Sequence, residues 1–79
     1  MDKNTCVIKL NSIEKVKDFV NQVSTFECDV DVLCRRYILD AKSIMALLSA
    51  DLTEPLKVMI HTDEYDELKR FFDVMEDFK

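Results

Sequence analysis

The sequence predicts an α+β fold, a two-layer sandwich in which three helices cover one face of a largely antiparallel four-stranded sheet. Three observations carry this expectation. Several short stretches alternate apolar and polar residues with the period of two that a half-buried strand needs. Others repeat apolar residues at helical spacing. They follow one another as strand, helix, strand, strand, helix, strand, helix, with no repeat, linker or low-complexity segment between them. At 79 residues the chain is expected to form a single domain over residues 1–79.

Thr5 to Leu10 reads as the first strand, with Cys6, Ile8 and Leu10 on one side and Val7 on the other. Asn11 with Glu14 is a capping-box arrangement and opens a helix. Ile13, Val16, Phe19, Val20, Val23 and Phe26 form its apolar stripe, opposite a solvated face of Lys15, Lys17, Asp18, Asn21 and Gln22. In Cys28 to Cys34, the residues Cys28, Val30, Val32 and Cys34 alternate with Asp29, Asp31 and Leu33, as in a strand wet on one face. Arg35-Arg36 suits a two-residue hairpin poorly, because the favoured primed turns want Asn or Gly at positive φ. A longer or bulged turn is expected there. Tyr37 to Ala41 is the returning strand, with Leu39 and Ala41 inward. After a turn at Thr53-Glu54-Pro55, Leu56, Val58 and Ile60 alternate with Lys57, Met59 and His61 as the last strand. Thr62-Asp63 caps a final helix whose stripe is Tyr65, Leu68, Phe71, Phe72, Met75 and Phe78. Asp29, Asp31, Asp40, Lys57 and His61 fall on the sheet face away from the helices, which is expected to be wet.

The middle helix, Ile44 to Ala50, is short and apolar all round. Ser43 stands immediately before it, an N-cap signature. At about 100° per residue, Ile44, Met45 and Leu48 fall on one side and Ala46, Leu47 and Ala50 on the other. A helix on a small domain buries one stripe and wets the other. The small side chains of Ala46 and Ala50 suit close approach to a sheet, so their side is expected to pack inward with Leu47. Ile44, Met45 and Leu48 are then an exposed patch beside a capping serine. The flexible thioether of Met45 suits such a contact surface.

Composition excludes several function classes. A domain of this size buries about 60–65% of its unfolded surface, which leaves no room for a spacious buried active site. Lys and Arg number 11 against 16 Asp and Glu, a net charge of −5. That balance argues against non-specific binding to nucleic acid or to an anionic membrane. No apolar stretch approaches the roughly 20 residues of a membrane span. Met1-Asp2-Lys3-Asn4 lacks the pattern of a secretory signal. Cys6, Cys28 and Cys34 are odd in number and lack CxxC spacing, a poor disulfide framework and a poor zinc site. They read as small buried hydrophobes in a reducing cytosol, so a cytoplasmic location is expected. Glycine is absent, which removes phosphate-cradling loops and dinucleotide fingerprints, and no cofactor is expected.

The element order resembles that of the HPr family, the histidine-containing phosphocarrier of the phosphoenolpyruvate–sugar phosphotransferase system. The resemblance is strongest at Lys42-Ser43-Ile44-Met45, then at Leu52 and the strand Lys57-Val58-Met59-Ile60, with Asp29-Val30-Asp31-Val32 before them. It runs from Cys6 to Phe78 and implies an open-faced sandwich with sheet order 1-4-2-3. HPr proteins carry a phosphoacceptor histidine in a Gly-Leu/Ile-His-x-Arg-Pro segment that starts the first helix. The imidazole there receives phosphate from Enzyme I beside helix amides and an arginine. The corresponding segment here, Leu10-Asn11-Ser12-Ile13-Glu14-Lys15-Val16, holds no histidine, arginine or proline. Ser12 lies nearest the lost histidine and marks a degenerate phosphocarrier position. A serine ester has a much lower phosphoryl-transfer potential, so carrier activity is not expected. His61, the only histidine, belongs mid-strand on the open sheet face, away from that helix start.

The second family site is the serine of Lys-Ser-Ile-Met. In Gram-positive relatives an HPr kinase/phosphorylase modifies it with ATP, and the phosphoserine form docks on the catabolite control transcription factor. Ser43 matches that serine, Lys42 precedes it, and Ile44, Met45 and Leu48 match the apolar docking surface. Catabolite-repression HPr proteins also lack the histidine and keep the serine, and this chain resembles them. The resemblance implies a non-enzymatic regulatory or adaptor protein of the bacterial cytoplasm. Its partners are proteins, with no direct nucleic-acid contact and no membrane insertion. The rival readings are a phosphocarrier serving sugar uptake through an unrecognised acceptor, and an HPr-fold structural or assembly module.

Overall fold

β4 (Leu56–Ile60) is the strand around which the sheet is built, and its alternation explains why. Leu56, Val58 and Ile60 are all buried on one face, while Lys57 and Met59 point to the other. β4 pairs with β1 (Thr5–Ile8) on one side and β2 (Val30–Cys34) on the other, and β2 pairs with β3 (Tyr37–Asp40). Every pairing is antiparallel and the order is β1-β4-β2-β3, as the sequence resemblance implies. This computed structural model describes residues 3–35 and 37–79.

Three helices, α1 (Ile13–Val23), α2 (Ile44–Leu48) and α3 (Tyr65–Met75), cover the apolar face, and a 3₁₀ turn at Glu76–Phe78 closes it. Val16, Phe19 and Val23 of α1 meet Ile8, Val30, Val32 and Val58 in one core with Leu47, Phe71, Met75 and Phe78. Aromatic edges set the helix positions. Phe19 meets Phe78 at 5.5 Å with ring planes at 88°. Phe26 meets Phe71 at 6.3 Å. Arg70 stacks its guanidinium 3.8 Å over Phe26 and donates to the Thr25 hydroxyl at 2.9 Å, which ties α3 to the end of α1.

Several local expectations need correction. β1 ends at Ile8 rather than Leu10, although Leu10 stays buried. The cap of α1 is Ser12, not Asn11: Ser12 Oγ accepts from Lys15 N at 3.2 Å. Ile13 and Tyr65, each the first residue of its helix, leave their stripes and are exposed. β2 begins at Val30, so Cys28 lies ahead of it and is only half-buried, as is Cys34. β3 ends at Asp40, with Ala41 buried just beyond. The N-cap position of α3 is Glu64, without a side-chain cap bond; Thr62 Oγ1 instead accepts from Glu64 N at 3.2 Å. His61 follows β4 rather than sitting within it.

The hairpin between β2 and β3 is tighter than expected. Cys34 pairs with Tyr37, so two residues make the connection. Arg35 supplies the positive φ, 53°, that a primed turn requires. A non-glycine there costs about 1–2 kcal/mol. The bidentate bonds of Arg35 to Glu54, at 2.7 and 3.3 Å, hold the residue in place. Arg36 lies outside the described residues.

The sheet face away from the helices is less polar than expected. Asp29, Asp40, Lys57 and His61 are exposed on it and Asp31 is half-buried. The same face also carries exposed Val7 and Ile38 and half-buried Leu33 and Met59.

Of the three free thiols only Cys6 is buried, and burial pushes both Cys6 and Cys28 above the ordinary thiol pKa. The folded chain thus keeps protons that the unfolded chain releases. Folding stability from these groups is full below about pH 8.5 and falls as pH rises through the thiol range. Iodoacetamide near neutral pH is expected to label Cys28 and Cys34 well before Cys6, as read by peptide mass mapping. Labelling of Cys6 at the rate of Cys34 would show that β1 opens locally.

Candidate functional site

The site begins at the turn that leads out of β3. Asp40 closes the strand and its side chain bridges forward, accepting from Lys42 N at 2.9 Å, while its backbone carbonyl accepts from Ser43 N at 3.0 Å. This Asx-type turn delivers Ser43 in an extended conformation, φ −109° and ψ 109°, as an N-cap should be. Ser43 Oγ accepts from Ala46 N at 3.3 Å and Ser43 O accepts from Leu47 N at 3.1 Å. The helix that follows is α2, Ile44–Leu48, two residues shorter than the expected run to Ala50, with Ser49 as its C-cap.

One turn of helix can anchor itself with little apolar surface. Leu47 does so, fully buried. Ala46 and Ala50, expected to be buried beside it, are half-buried. Met45 is 76% exposed and Leu48 42% exposed, so this apolar pair faces solvent next to the half-buried Ser43. Ile44 is different: it is half-buried and packs on the core, contributing one edge to the patch. Lys42 does not join the patch. Its Nζ donates to the Phe26 carbonyl at 2.7 Å and pins the turn to the end of α1. That contact links residues 16 apart, and no local pattern in the sequence announces it.

The remaining candidates lie elsewhere. Ser12 is exposed at the start of α1, its hydroxyl engaged as the helix cap. His61 is at the far end of β4 on the open sheet face, where Nε2 donates to Asp31 Oδ2 at 2.6 Å. No imidazole stands at the α1 N-terminus, where the chain reads Asn11-Ser12-Ile13. Among the described residues no group of three or more His, Cys, Asp and Glu side chains could hold a metal ion. No helix among them is long and apolar enough to cross a membrane.

The family model described as the PTS HPr component phosphorylation site matches residues 14–78. The matched span opens just after Ser12 and includes Lys42-Ser43-Ile44-Met45. Among solved structures the chain is similar to the crystal structure of HPr-C-His from Thermoanaerobacter tengcongensis. The two share 22% sequence identity and a TM-score of 0.71, over 98% of this chain and 93% of that one. At that identity the likeness is one of fold. No curated protein sequence matches the chain.

Proposed function

The chain belongs to the HPr family of the phosphotransferase system, and from that premise we propose that it is a regulatory or adaptor member which docks on protein partners and relays no phosphohistidine. The observation that carries this reading is the pairing of a capping Ser43 with the solvent-facing Met45 and Leu48 on a single turn of helix. Phosphorylation of Ser43 by an HPr kinase/phosphorylase gates the contact. The Ser43 oxygen bonds to the γ-phosphorus of ATP, the bond to the β-phosphate oxygen breaks, ADP leaves and the hydroxyl proton is released. The product adds about −1.5 to −2 charges and keeps an acceptor oxygen within reach of Ala46 N. An anion then stands beside an apolar pair, an epitope for a partner's arginine and hydrophobic groove such as a catabolite control transcription factor offers. Ile44 supports the patch from beneath, and Lys42 holds the turn.

The loss of the relay follows from chemistry at Ser12. A phosphoserine ester there is too stable to hand its phosphoryl group on to sugar. His61 is held by Asp31 on the sheet face opposite the helices, away from helix amides that would stabilise a phosphate. The protein acts without catalysis of its own, in the cytoplasm.

Two incubations test the reading. With Enzyme I and labelled phosphoenolpyruvate, no acid-labile phosphate is expected on the chain. Such a label would transfer the protein to the carrier reading. With HPr kinase/phosphorylase and ATP, one phosphate is expected at Ser43 by peptide mapping. An unmodified Ser43 would leave only an assembly module.

A further inference from the structure

β3 has the sequence of an inner strand and the position of an edge. Tyr37, Ile38 and Leu39 are consecutive and apolar, the pattern of a strand covered on both faces. Yet β3 ends the sheet order, and Tyr37 is 69% and Ile38 72% exposed. Edges are ordinarily protected by lysine, proline or a bulge. β3 carries neither residue, and its register with β2 runs unbroken from Asp31↔Asp40 to Cys34↔Tyr37.

The hydrogen-bond phase shows what the edge offers. Ala41 N donates to Val30 O at 2.9 Å, so Leu39 and Tyr37, in phase with Ala41, also turn their backbone groups toward β2. Ile38 N–H, Ile38 C=O and Asp40 N–H therefore point outward, where no strand follows. Below this edge, on the helix side, an open-sided hollow of about 470 Å³ separates β3 from the end of α2, lined by Cys34, Tyr37, Leu39 and Ala50 among others. The positive charge at the hollow, Arg35, is already met by Glu54. Above the edge, on the open face, Ile38 lies beside Leu33, and Asp40 stands directly opposite Asp31. Asp31 Oδ2 is already met by His61 Nε2 at 2.6 Å, so the exposed carboxylate of Asp40, whose Oδ1 accepts from Lys42 N, is the group on this edge that an added cation meets.

We propose that the β3 edge is a docking site for an extended basic–apolar segment of another protein, added antiparallel as a fifth strand with apolar side chains in the hollow and Lys or Arg stems across Ile38 toward Asp40. Backbone bonds at Ile38 and Asp40 supply affinity, and the hollow selects the side chain. The site uses neither Ser43 nor Met45 nor Leu48, so it stands or falls independently of the function proposed above.

The test titrates the ¹⁵N-labelled full chain with a short synthetic peptide of alternating lysine and leucine. A second peptide of the same sequence has N-methylated lysines, the residues whose amides face Ile38 and Asp40, and cannot continue the ladder. The first is expected to shift the Tyr37–Asp40 and Ala50 amides and to slow hydrogen exchange at Ile38 and Asp40. The second is expected to bind at least about tenfold more weakly, the loss of about 1.4 kcal/mol of ladder bonding. Ile38→Pro removes an outward N–H that β2 does not use, a position where a strand tolerates proline. It should reproduce the loss with an unchanged circular dichroism spectrum. Equal binding of both peptides, or shifts confined to other faces, would overturn the proposal. So would light scattering that finds the free chain dimeric with Ile38 protected, since a second copy then fills the edge. The N-methylated peptide decides the matter on the native chain should Ile38→Pro fail to fold.

Discussion

Phe19→Ala is expected to cost about 3–5 kcal/mol, the range for emptying a fully buried aromatic site. Phe19 is wholly inaccessible to solvent, and its ring packs at close to a right angle against that of Phe78. The consequences reach beyond one cavity. Phe78 O accepts from Lys9 N at 2.8 Å, where the chain leaves β1. Lys15 of α1 places its ammonium 5.8 Å over the Phe78 ring and donates to Asp77 O at 3.4 Å. Removing Phe19 loosens α1, the C-terminal turn and the exit of β1 together. A domain of this length has about 4–12 kcal/mol of stability in total, at 0.05–0.15 kcal/mol per residue. The variant should therefore be marginal or largely unfolded at room temperature, as read by urea denaturation followed by circular dichroism. Ile13→Ala, on the same helix but exposed, is the control and should stay within about 0.5 kcal/mol of the parent. A Phe19→Ala cost below about 1 kcal/mol would mean that Phe78 collapses into the space and that the C-terminal turn is not held as described.

What the sequence makes legible here is what repeats. Leu56, Val58 and Ile60 alternate without interruption, and β4 starts at Leu56 as expected and ends at Ile60, one residue before His61. The α1 stripe reads correctly at Val16, Phe19, Val23 and, past the helix end, Phe26, all buried in the core, with Val20 half-buried against it. It fails at Ile13, and the α3 stripe fails at Tyr65, for a shared reason. Each is a first-turn residue, where the helix projects past the core and periodicity no longer implies a neighbour. The capping error at Asn11 has a different origin. Two adjacent polar residues both satisfy the cap preference, and only backbone geometry chooses Ser12. The Ser43 turn was readable because cap, helix and apolar patch are contiguous in the chain. The role of Lys42 was not, because its partner is the carbonyl of Phe26 at the end of another helix. β3 hid its character in plain view. Its apolar run is visible and reads as an inner strand; only the resemblance, through the sheet order 1-4-2-3, puts it at an edge.

Met45→Lys is expected to weaken binding of the Ser43-phosphorylated chain to a catabolite control transcription factor by at least about tenfold, while leaving the melting temperature unchanged. Exposure fixes both halves of this expectation. A side chain 76% open to solvent contributes little to folding, and surface substitutions stay within about 0.5 kcal/mol. The same openness makes Met45 available to a partner's pocket, where a central apolar anchor is worth about 2 kcal/mol or more. The substituted ammonium also stands near phosphoserine and offsets the anion that the partner's arginine would meet. Lys42→Ala separates this surface from its neighbour in sequence. Its Nζ is spent on the Phe26 carbonyl, so the substitution should lower stability by about 1 kcal/mol and leave binding by the folded fraction intact. Calorimetric titration of both variants against the parent reads the difference. Should Lys42→Ala abolish binding while Met45→Lys does not, the partner contacts the turn before α2 and not its exposed face. The docking surface would then have to be redrawn on the side of α1.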